Sequence, residues 1–254
     1  MPPAITPSKT DAKRSRPAQV AEAIKSWVVE QGLTPGDRLP SEPDLIAHFG
    51  MAKGTIREAM RILEAQGLVK SRTGPGGGTF VHEVSRERAK ALLSNYFYFK
   101  DMTIGDVYQV RRALEPELAA SLAGTLSQEQ LARLEEIVAI YAEPPQSAEQ
   151  ERDQHIASLA FHGALAEFSR NPLLSFVIGF IEKLLSDITV YRQLYTPHNL
   201  ALWESGLDYH RRLIAALREG DSGAARAIMK AHMETAWTHM GDQEAKALRG
   251  FLPE

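Results

Sequence analysis

The chain has 254 residues, 44% of them hydrophobic and 24% charged, which is ordinary for a globular protein of one or two domains. It contains no cysteine, which excludes disulfides and cysteine-ligated zinc. The longest apolar run, residues 173–181, is far shorter than the ~20 residues that span a membrane, and the N-terminus lacks the apolar core of a secretion signal. We therefore expect a cytoplasmic protein that does not contact a membrane, with tails at residues 1–16 and 246–254.

The net charge of −3 conceals an asymmetry along the chain. Residues 1–82 contain 11 Lys and Arg against 8 Asp and Glu, a charge of +3, whereas the remainder contains 18 basic and 24 acidic residues, a charge of −6. A small basic segment joined to a larger acidic one is typical of a protein that contacts a polyanion locally.

Three helices and a hairpin are predicted in the basic segment. A first helix over residues 17–31 is ended by GLTPGDRLP, and Ser41 with Asp44 has the spacing of a cap for a second, short helix that Gly50 ends. The segment AKGTIREAMRILEAQG follows at once, with apolar residues at helical spacing. Two short helices joined this tightly predict a helix-turn-helix.

The third helix carries a polar face formed by Lys53, Thr55, Arg57 and Arg61. Cations near a helix N-terminus oppose the helix dipole, so an anionic partner is expected to compensate them. After this helix, LVKSR and TFVHE are rich in strand-forming residues and flank TGPGGG, which predicts a hairpin whose glycine tip can approach another backbone closely. Residues 17–82 are therefore interpreted as a winged helix-turn-helix that binds double-stranded DNA.

The rest of the chain is predicted to be helical almost throughout. A linker and connecting helix over residues 83–101 precede an antiparallel α-helical bundle over residues 102–245. The predicted helices cover residues 86–100, 103–124, 127–142, 149–169, 172–193, 200–219 and 222–245.

Three histidines lie among apolar residues on separate helices of the predicted bundle: His162, His210 and His232. One such histidine is more often a core residue than a ligand, but three that converge can hold a divalent metal such as zinc or nickel. His155, about 10 Å before His162 along the helix, is interpreted as a second-layer or surface residue. Arg111 and Arg192 are candidates to bind an effector carboxylate, with a surface ion pair as the alternative role for each.

The N-terminal third resembles the DNA-binding domain of the GntR family of bacterial transcription regulators, through PGDRLPSE, TIREAMRILEAQGLV and GGTFV. The resemblance implies that Lys53, Thr55 and Arg57 contact DNA from the recognition helix, with Arg61 reaching a phosphate one turn later. It also implies that the wing tip, Gly77 and Gly78, approaches the minor groove. Pro43 and Ala52 depart from the family pattern, so the operator sequence that this protein prefers is expected to differ from the family's usual one.

The C-terminal part resembles the FCD effector domain of the FadR subfamily, through LAFHGALAEFSRNPLL and DYHRRLIAALREGDSGAARAIMKAHM. Relatives that bind metal use three histidines, which His162, His210 and His232 match, and an acidic residue one turn before the first. That position is Ser158 here. Ser158 is therefore assigned to the effector site, with metal binding through the three histidines and a metal-free cavity both left open.

The leading interpretation is a homodimeric transcription regulator whose affinity for a DNA operator is changed by a small organic acid bound in the bundle. The family resemblance implies a repressor that the ligand releases, with activation left open. A metal-free regulator that senses an organic acid directly is the alternative. A metal-dependent hydrolase is the rival from another class, but no motif places a general base, so no catalytic residue is assigned and an enzyme is not expected.

Overall fold

The computed structural model describes residues 15–98, 100, 102–191, 193 and 199–249. The chain divides into two compact units, Met1–Ala91 and Leu92–Glu254. No helix among the described residues is both long and apolar enough to cross a membrane.

Over its described residues, the N-terminal unit contains three helices and a two-stranded sheet, followed by a helix in which the division into units falls. The elements are α1 (Arg16–Glu30), α2 (Glu42–Phe49), α3 (Lys53–Ala65), β1 (Val69–Arg72), β2 (Gly78–Val81) and α4 (Arg86–Tyr98). Ser41 and Asp44 form the predicted cap of α2, and Gly50 ends this helix in the left-handed conformation with φ of 62°. That turn leads directly into α3, so the predicted helix-turn-helix is confirmed.

A small core holds the three helices together. Its buried side chains come from all three helices, the turn before α2 and the first strand: Val20, Ala21, Ile24, Leu39, Leu45, Ile56, Ala59, Leu63 and Val69. Burial of these apolar side chains is the main favourable term that keeps α3 against α1. The polar face of α3 is thereby left on the surface.

The predicted hairpin is the antiparallel pair β1–β2, in which Val69 faces Val81 and Arg72 faces Gly78. The segment before α2 joins this wing, because Leu39 N–H donates to Thr79 O at 2.8 Å and Val81 N–H donates to Asp37 O at 2.8 Å. The winged helix-turn-helix is therefore complete in the first unit.

The C-terminal unit is all helical in its described residues. Its helices are α5 (Ile104–Leu122), α6 (Gln128–Ala139), α7 (Ala148–Phe168), α8 (Pro172–Tyr191), α9 (Leu200–Glu219) and α10 (Ser222–Arg249). Each of the seven predicted helices after the wing is present, with ends within four residues of those predicted. The largest difference is at α10, which continues to Arg249 rather than ending at residue 245.

The bundle buries one apolar core between helices that are distant in the chain. Packing joins α10 to α5 and α9, and α7 to α6 and α8. Tyr141, Phe161, Leu165 and Leu213 are among the fully buried side chains. The three candidate histidines, His162 on α7, His210 on α9 and His232 on α10, are buried within this core with exposures of 3%, 0% and 5%.

Candidate functional site

The polar face of α3 bears three exposed cations, and two of them share an acidic neighbour. Arg57 Nε lies 2.8 Å from Glu42 Oε2, and Lys53 Nζ lies 3.6 Å from Glu42 Oε1. Arg61 pairs with Glu58 at 3.2 Å on its own helix. Exposed ion pairs of this kind contribute little to stability, so a DNA phosphate can replace the carboxylates at small cost. Thr55 lies on the same helix and is half-buried.

The wing tip is held by Arg38, which lies in the segment before α2. Arg38 Nη2 donates to Gly77 O at 2.7 Å, and its guanidinium covers Gly78. A Cβ on Gly77 would lie 2.7 Å from the backbone oxygen of Arg72, and Gly78 has a φ of +151°, a backbone conformation that L side chains rarely adopt. Both positions therefore require glycine, and Arg38 supports the wing rather than extending from it.

The three histidines meet at their Nε2 atoms. The distances are 3.0 Å between His210 and His232, 3.2 Å between His210 and His162, and 3.3 Å between His232 and His162. Zinc bound tetrahedrally at 2.0–2.1 Å holds its nitrogen ligands about 3.3 Å apart. The triangle therefore has the dimensions of three ligands to a single ion, and these three residues form a group that could hold a metal ion.

Two of the rings have a polar group close to their other nitrogen, a carboxylate beside His162 and a hydrogen-bonded hydroxyl at His210. Glu115 Oε2 lies 2.5 Å from His162 Nδ1, and the Tyr141 hydroxyl lies 2.8 Å from His210 Nδ1. A carboxylate only accepts hydrogen bonds, so His162 carries its proton on Nδ1 and directs the Nε2 lone pair at the other two histidines. A carboxylate behind a metal-binding imidazole is the usual arrangement in metal sites.

Burial keeps the histidine cluster neutral. It lowers the pKa of His162, although Glu115 partly opposes this, and it lowers the pKa of His210 and His232 well below the ordinary value, with further lowering from neighbouring rings and Arg111. Burial also opposes ionisation of Glu115, but Arg111 and His162 outweigh it and hold the pKa of that carboxyl far below its usual range. Neutral imidazoles are the form that binds metal.

A cavity of about 50 Å³ opens beside the cluster. Its wall includes Arg111 and Tyr108 from α5, Trp203 and Gly206 from α9, and one stripe of α7. The stripe consists of Glu151, Gln154, His155, Ser158, Leu159 and His162. Ser158 faces Gly206, whose Cβ position would lie 4.0 Å from Ser158 Oγ. Two small residues therefore leave open space in the cavity that His162 and His232 also line.

One expectation about the cavity is corrected by the packing. Arg111 does not form a surface ion pair, because its side chain is 3% exposed and its Nε donates to Glu115 Oε1 at 2.5 Å inside the bundle. His155, expected to be a second-layer or surface residue, lines the same cavity, and its Nε2 is buried. Arg192, the other candidate for the effector carboxylate, lies outside the described residues.

Sequence reasoning missed Glu115 and Tyr141. Glu115 follows Arg111 by one helical turn, which is the spacing of an ion pair, but the same spacing is common on exposed faces. Tyr141 lies just beyond α6 and carries no local pattern that points to His210, which is 69 residues away. Only the packing of the helices identifies them.

Both units match known protein families. Residues 17–81 match the family described as "Bacterial regulatory proteins, gntR family", and residues 106–235 match the FCD domain. The chain is 30% identical over 87% of its length to the putative L-lactate dehydrogenase operon regulatory protein of Escherichia coli K12, covering 85% of that protein. It is 28% identical over 79% of its length to the HTH-type transcriptional regulator LutR of Bacillus subtilis, covering 90% of it.

The fold is also found among solved structures. A GntR protein of Streptococcus agalactiae superposes with a TM-score of 0.62 at 24% identity, over 87% of this chain and 99% of the other. These relatives are transcription regulators and not enzymes, which removes the hydrolase rival. The chain belongs to the GntR family of bacterial transcription regulators and is a ligand-responsive DNA-binding regulator with an FCD effector domain.

Proposed function

We propose that the protein is a homodimeric repressor whose operator affinity is lowered by a small organic acid, bound in the cavity with a divalent metal held by His162, His210 and His232. The observation that carries this proposal is the Nε2 triangle with sides of 3.0, 3.2 and 3.3 Å. Since Glu115 leaves the Nε2 lone pair of His162 pointing into the triangle, a cation between the rings relieves the repulsion among ring nitrogens.

The chemistry of the donor set fits zinc or nickel. Three neutral imidazole nitrogens suit both ions, and neither thiolates nor hard oxygen cages are needed. Such an ion supplies a positive charge and open coordination positions for an oxygen ligand. Because Ser158 stands where metal-binding relatives have an acidic residue, three neutral histidines would hold the ion without a protein anion, and an effector carboxylate would be the anionic ligand.

Arg111 provides a second positive charge at the same wall of the cavity. A guanidinium has five N–H donors, and Glu115 accepts from Nε at 2.5 Å and weakly from Nη2 at 3.4 Å. The Glu115 carboxylate also fixes the position of Arg111 at the cavity wall, where the guanidinium donors that neither Glu115 nor Tyr108 uses can bind an acid. We therefore assign Arg111 to the effector carboxylate and Ser158 to an adjacent hydrogen bond.

On DNA, the proposed contacts are those of α3 and the wing. Arg57, Lys53 and Thr55 would contact base edges and phosphates in the major groove, Arg61 a phosphate, and Gly77 with Gly78 the neighbouring minor groove. A dimer presents two such units to a two-fold operator. The effector lowers operator affinity only to the extent that it binds the DNA-incompetent arrangement more tightly.

Metal content tests the proposal first. We expect about one zinc or nickel ion per protomer by elemental analysis of protein purified without a metal-affinity column, and much less in His210→Ala. Operator binding is then measured by fluorescence anisotropy with and without short carboxylic acids. An acid that weakens operator binding by the metal-loaded protein but not by His210→Ala would support both the metal site and acid sensing. If no acid alters the operator affinity of either protein, acid sensing is contradicted.

A metal-free form of the same function is favoured by one observation, the replacement of the acidic ligand by Ser158. In that case the acid binds through Arg111 and the histidines by hydrogen bonds alone. Protein that stays free of metal after incubation with zinc and desalting, yet responds to an acid, would establish this alternative.

A further inference from the structure

The cavity continues along α7 beyond the histidine cluster. Residues 151, 154, 155, 158 and 162 recur at intervals of three or four and line the same wall. His155 precedes His162 by two turns, which places the two rings about 10 Å apart along the helix. The cavity therefore has a second end, toward the start of α7, whose residues contact neither the proposed metal nor the effector carboxylate.

That second end contains a buried acceptor without a partner. Gln154 is 4% exposed, and its Nε2 donates to Glu143 O at 3.0 Å, which fixes the orientation of the amide. Its Oε1 is buried and has no hydrogen-bond partner among the described residues. A buried carbonyl oxygen in this state costs free energy until a donor reaches it, and Gln154 lines the cavity from which a donor can arrive.

His155 places a second polar atom beside it. Its Nε2 is buried and has no hydrogen-bond partner among the described residues. Burial, and to a smaller extent the charge of Arg111, lowers the pKa of His155 to about 4, so the ring is neutral near pH 7. A neutral imidazole offers a lone pair or an N–H at Nε2, according to its tautomer.

We propose that Gln154 and His155 form a second subsite of the effector cavity, which hydrogen-bonds a hydroxyl group that the effector carries a few carbon atoms away from its carboxylate. This inference rests on the proposed acid sensing at the histidine end. A hydroxyl fits because its single proton is donated to Gln154 Oε1 while its oxygen accepts from the Nε2–H of His155, which the neutral ring carries in one of its two tautomers.

Other groups fit the subsite less well. A second carboxylate only accepts, so it would face Gln154 Oε1 without a proton to share. An apolar chain would leave both buried polar atoms unsatisfied. The volume of about 50 Å³ restricts the ligand to a short chain.

The test is calorimetric titration of the full-length, zinc-loaded protein with three acids of one chain length: butanoate, 4-hydroxybutanoate and 2-hydroxybutanoate. Pentanoate and 5-hydroxypentanoate extend the series by one carbon atom. We expect a terminal hydroxy acid to bind at least about fivefold more tightly than its unsubstituted partner, because it satisfies one or two buried polar atoms. The 2-hydroxy isomer separates this effect from chelation, since its hydroxyl lies beside the carboxylate and cannot reach Gln154.

Variants locate the effect. Gln154→Met and, separately, His155→Phe should reduce the affinity for the terminal hydroxy acid toward that for butanoate and leave the affinity for 2-hydroxybutanoate nearly unchanged. Gln150→Met, an exposed glutamine on the same helix outside the cavity, is the matched control and should keep the preference.

Two outcomes would contradict the proposed subsite, and only one of them also contradicts the proposed acid sensing. If native protein binds the acids but shows no preference for a terminal hydroxyl at either chain length, the subsite is wrong and acid sensing stands. If no acid of the series binds to zinc-loaded or metal-free protein, and none alters operator affinity, both the subsite and the proposed acid sensing fail.

Discussion

The carboxylate of Glu115 links Arg111 to His162 in the interior of the bundle. Its Oε1 accepts from Arg111 Nε at 2.5 Å, and its Oε2 lies 2.5 Å from His162 Nδ1. All three side chains are almost fully buried. Glu115 thus connects the residue assigned to the effector acid with a residue assigned to the metal, and any change at one end of this chain of contacts alters the electrostatics at the other.

Glu115→Gln is expected to weaken zinc binding about 10- to 100-fold, because an amide nitrogen facing His162 Nδ1 favours the tautomer that carries its proton on Nε2. The measurement is competition with a chromogenic chelator. Glu117→Gln is the matched control, since Glu117 lies on the same helix in an exposed pair with Arg226. Equal zinc affinity in the two variants would show that Glu115 does not orient a ligand. The variant also leaves Arg111 buried without its carboxylate, so a lower melting temperature is expected.

Ser158→Asp is expected to raise zinc affinity by roughly tenfold or more, because it adds an anionic oxygen one turn before His162, in the space opposite Gly206. It should also weaken the binding of acids to the zinc-loaded protein, since the carboxylate takes the coordination position left to the effector. Ser158→Ala, which adds no ligand, is the control for loss of the hydroxyl. If Ser158→Asp leaves the zinc affinity unchanged, the ion does not bind within reach of residue 158.

Arg57→Ala is expected to weaken operator binding by tenfold or more at fixed salt, since one base or phosphate contact contributes about 1–3 kcal/mol. If the contact is to a phosphate, the dependence of affinity on salt also becomes shallower. Lys25→Ala on α1 removes a cation paired with Glu22 outside the helix-turn-helix and serves as the control. Operator binding that Arg57→Ala leaves intact would refute the placement of α3 in the major groove.

The stability of the metal-free protein should fall with pH below about 6.5. The pKa values of His155, His162, His210 and His232 are all lowered in the folded state, chiefly by burial. Between the ordinary histidine pKa of about 6.5 and the lowered values, the unfolded chain binds protons that the folded chain does not, so the free energy of unfolding decreases as pH falls. Each histidine contributes at most about 1.4 kcal/mol per pH unit.

Urea denaturation of chelator-treated protein at pH 7.5, 6.5 and 5.5 measures this slope. The window stays above the ordinary pKa of Asp and Glu, so the histidines dominate it. Zinc-saturated protein should lose stability more steeply, because protons compete with the metal for the same nitrogens. A flat profile between pH 6.5 and 5.5 without metal would show that the cavity admits enough water to hold charged imidazoles.

Most of the fold follows from patterns that are local in the chain. The helix-turn-helix could be predicted because caps, a left-handed glycine and apolar spacing all lie within a few residues of one another, as at Ser41, Asp44 and Gly50. The wing follows from two short strand-forming runs around TGPGGG. The three histidines were also identifiable, because each stands on the apolar stripe of its own helix.

The arrangement of the site was decided by tertiary packing alone. The contacts of His162 with His210 and His232 join residues 48 and 70 positions apart, and Tyr141 reaches His210 across 69. Periodicity places a side chain on the inner face of a helix but does not say which residue of another helix it meets. For the same reason, Arg111 and Glu115 have the spacing of an ordinary surface pair in the sequence, and only the helices packed around them exclude water and turn that pair into part of the cavity wall.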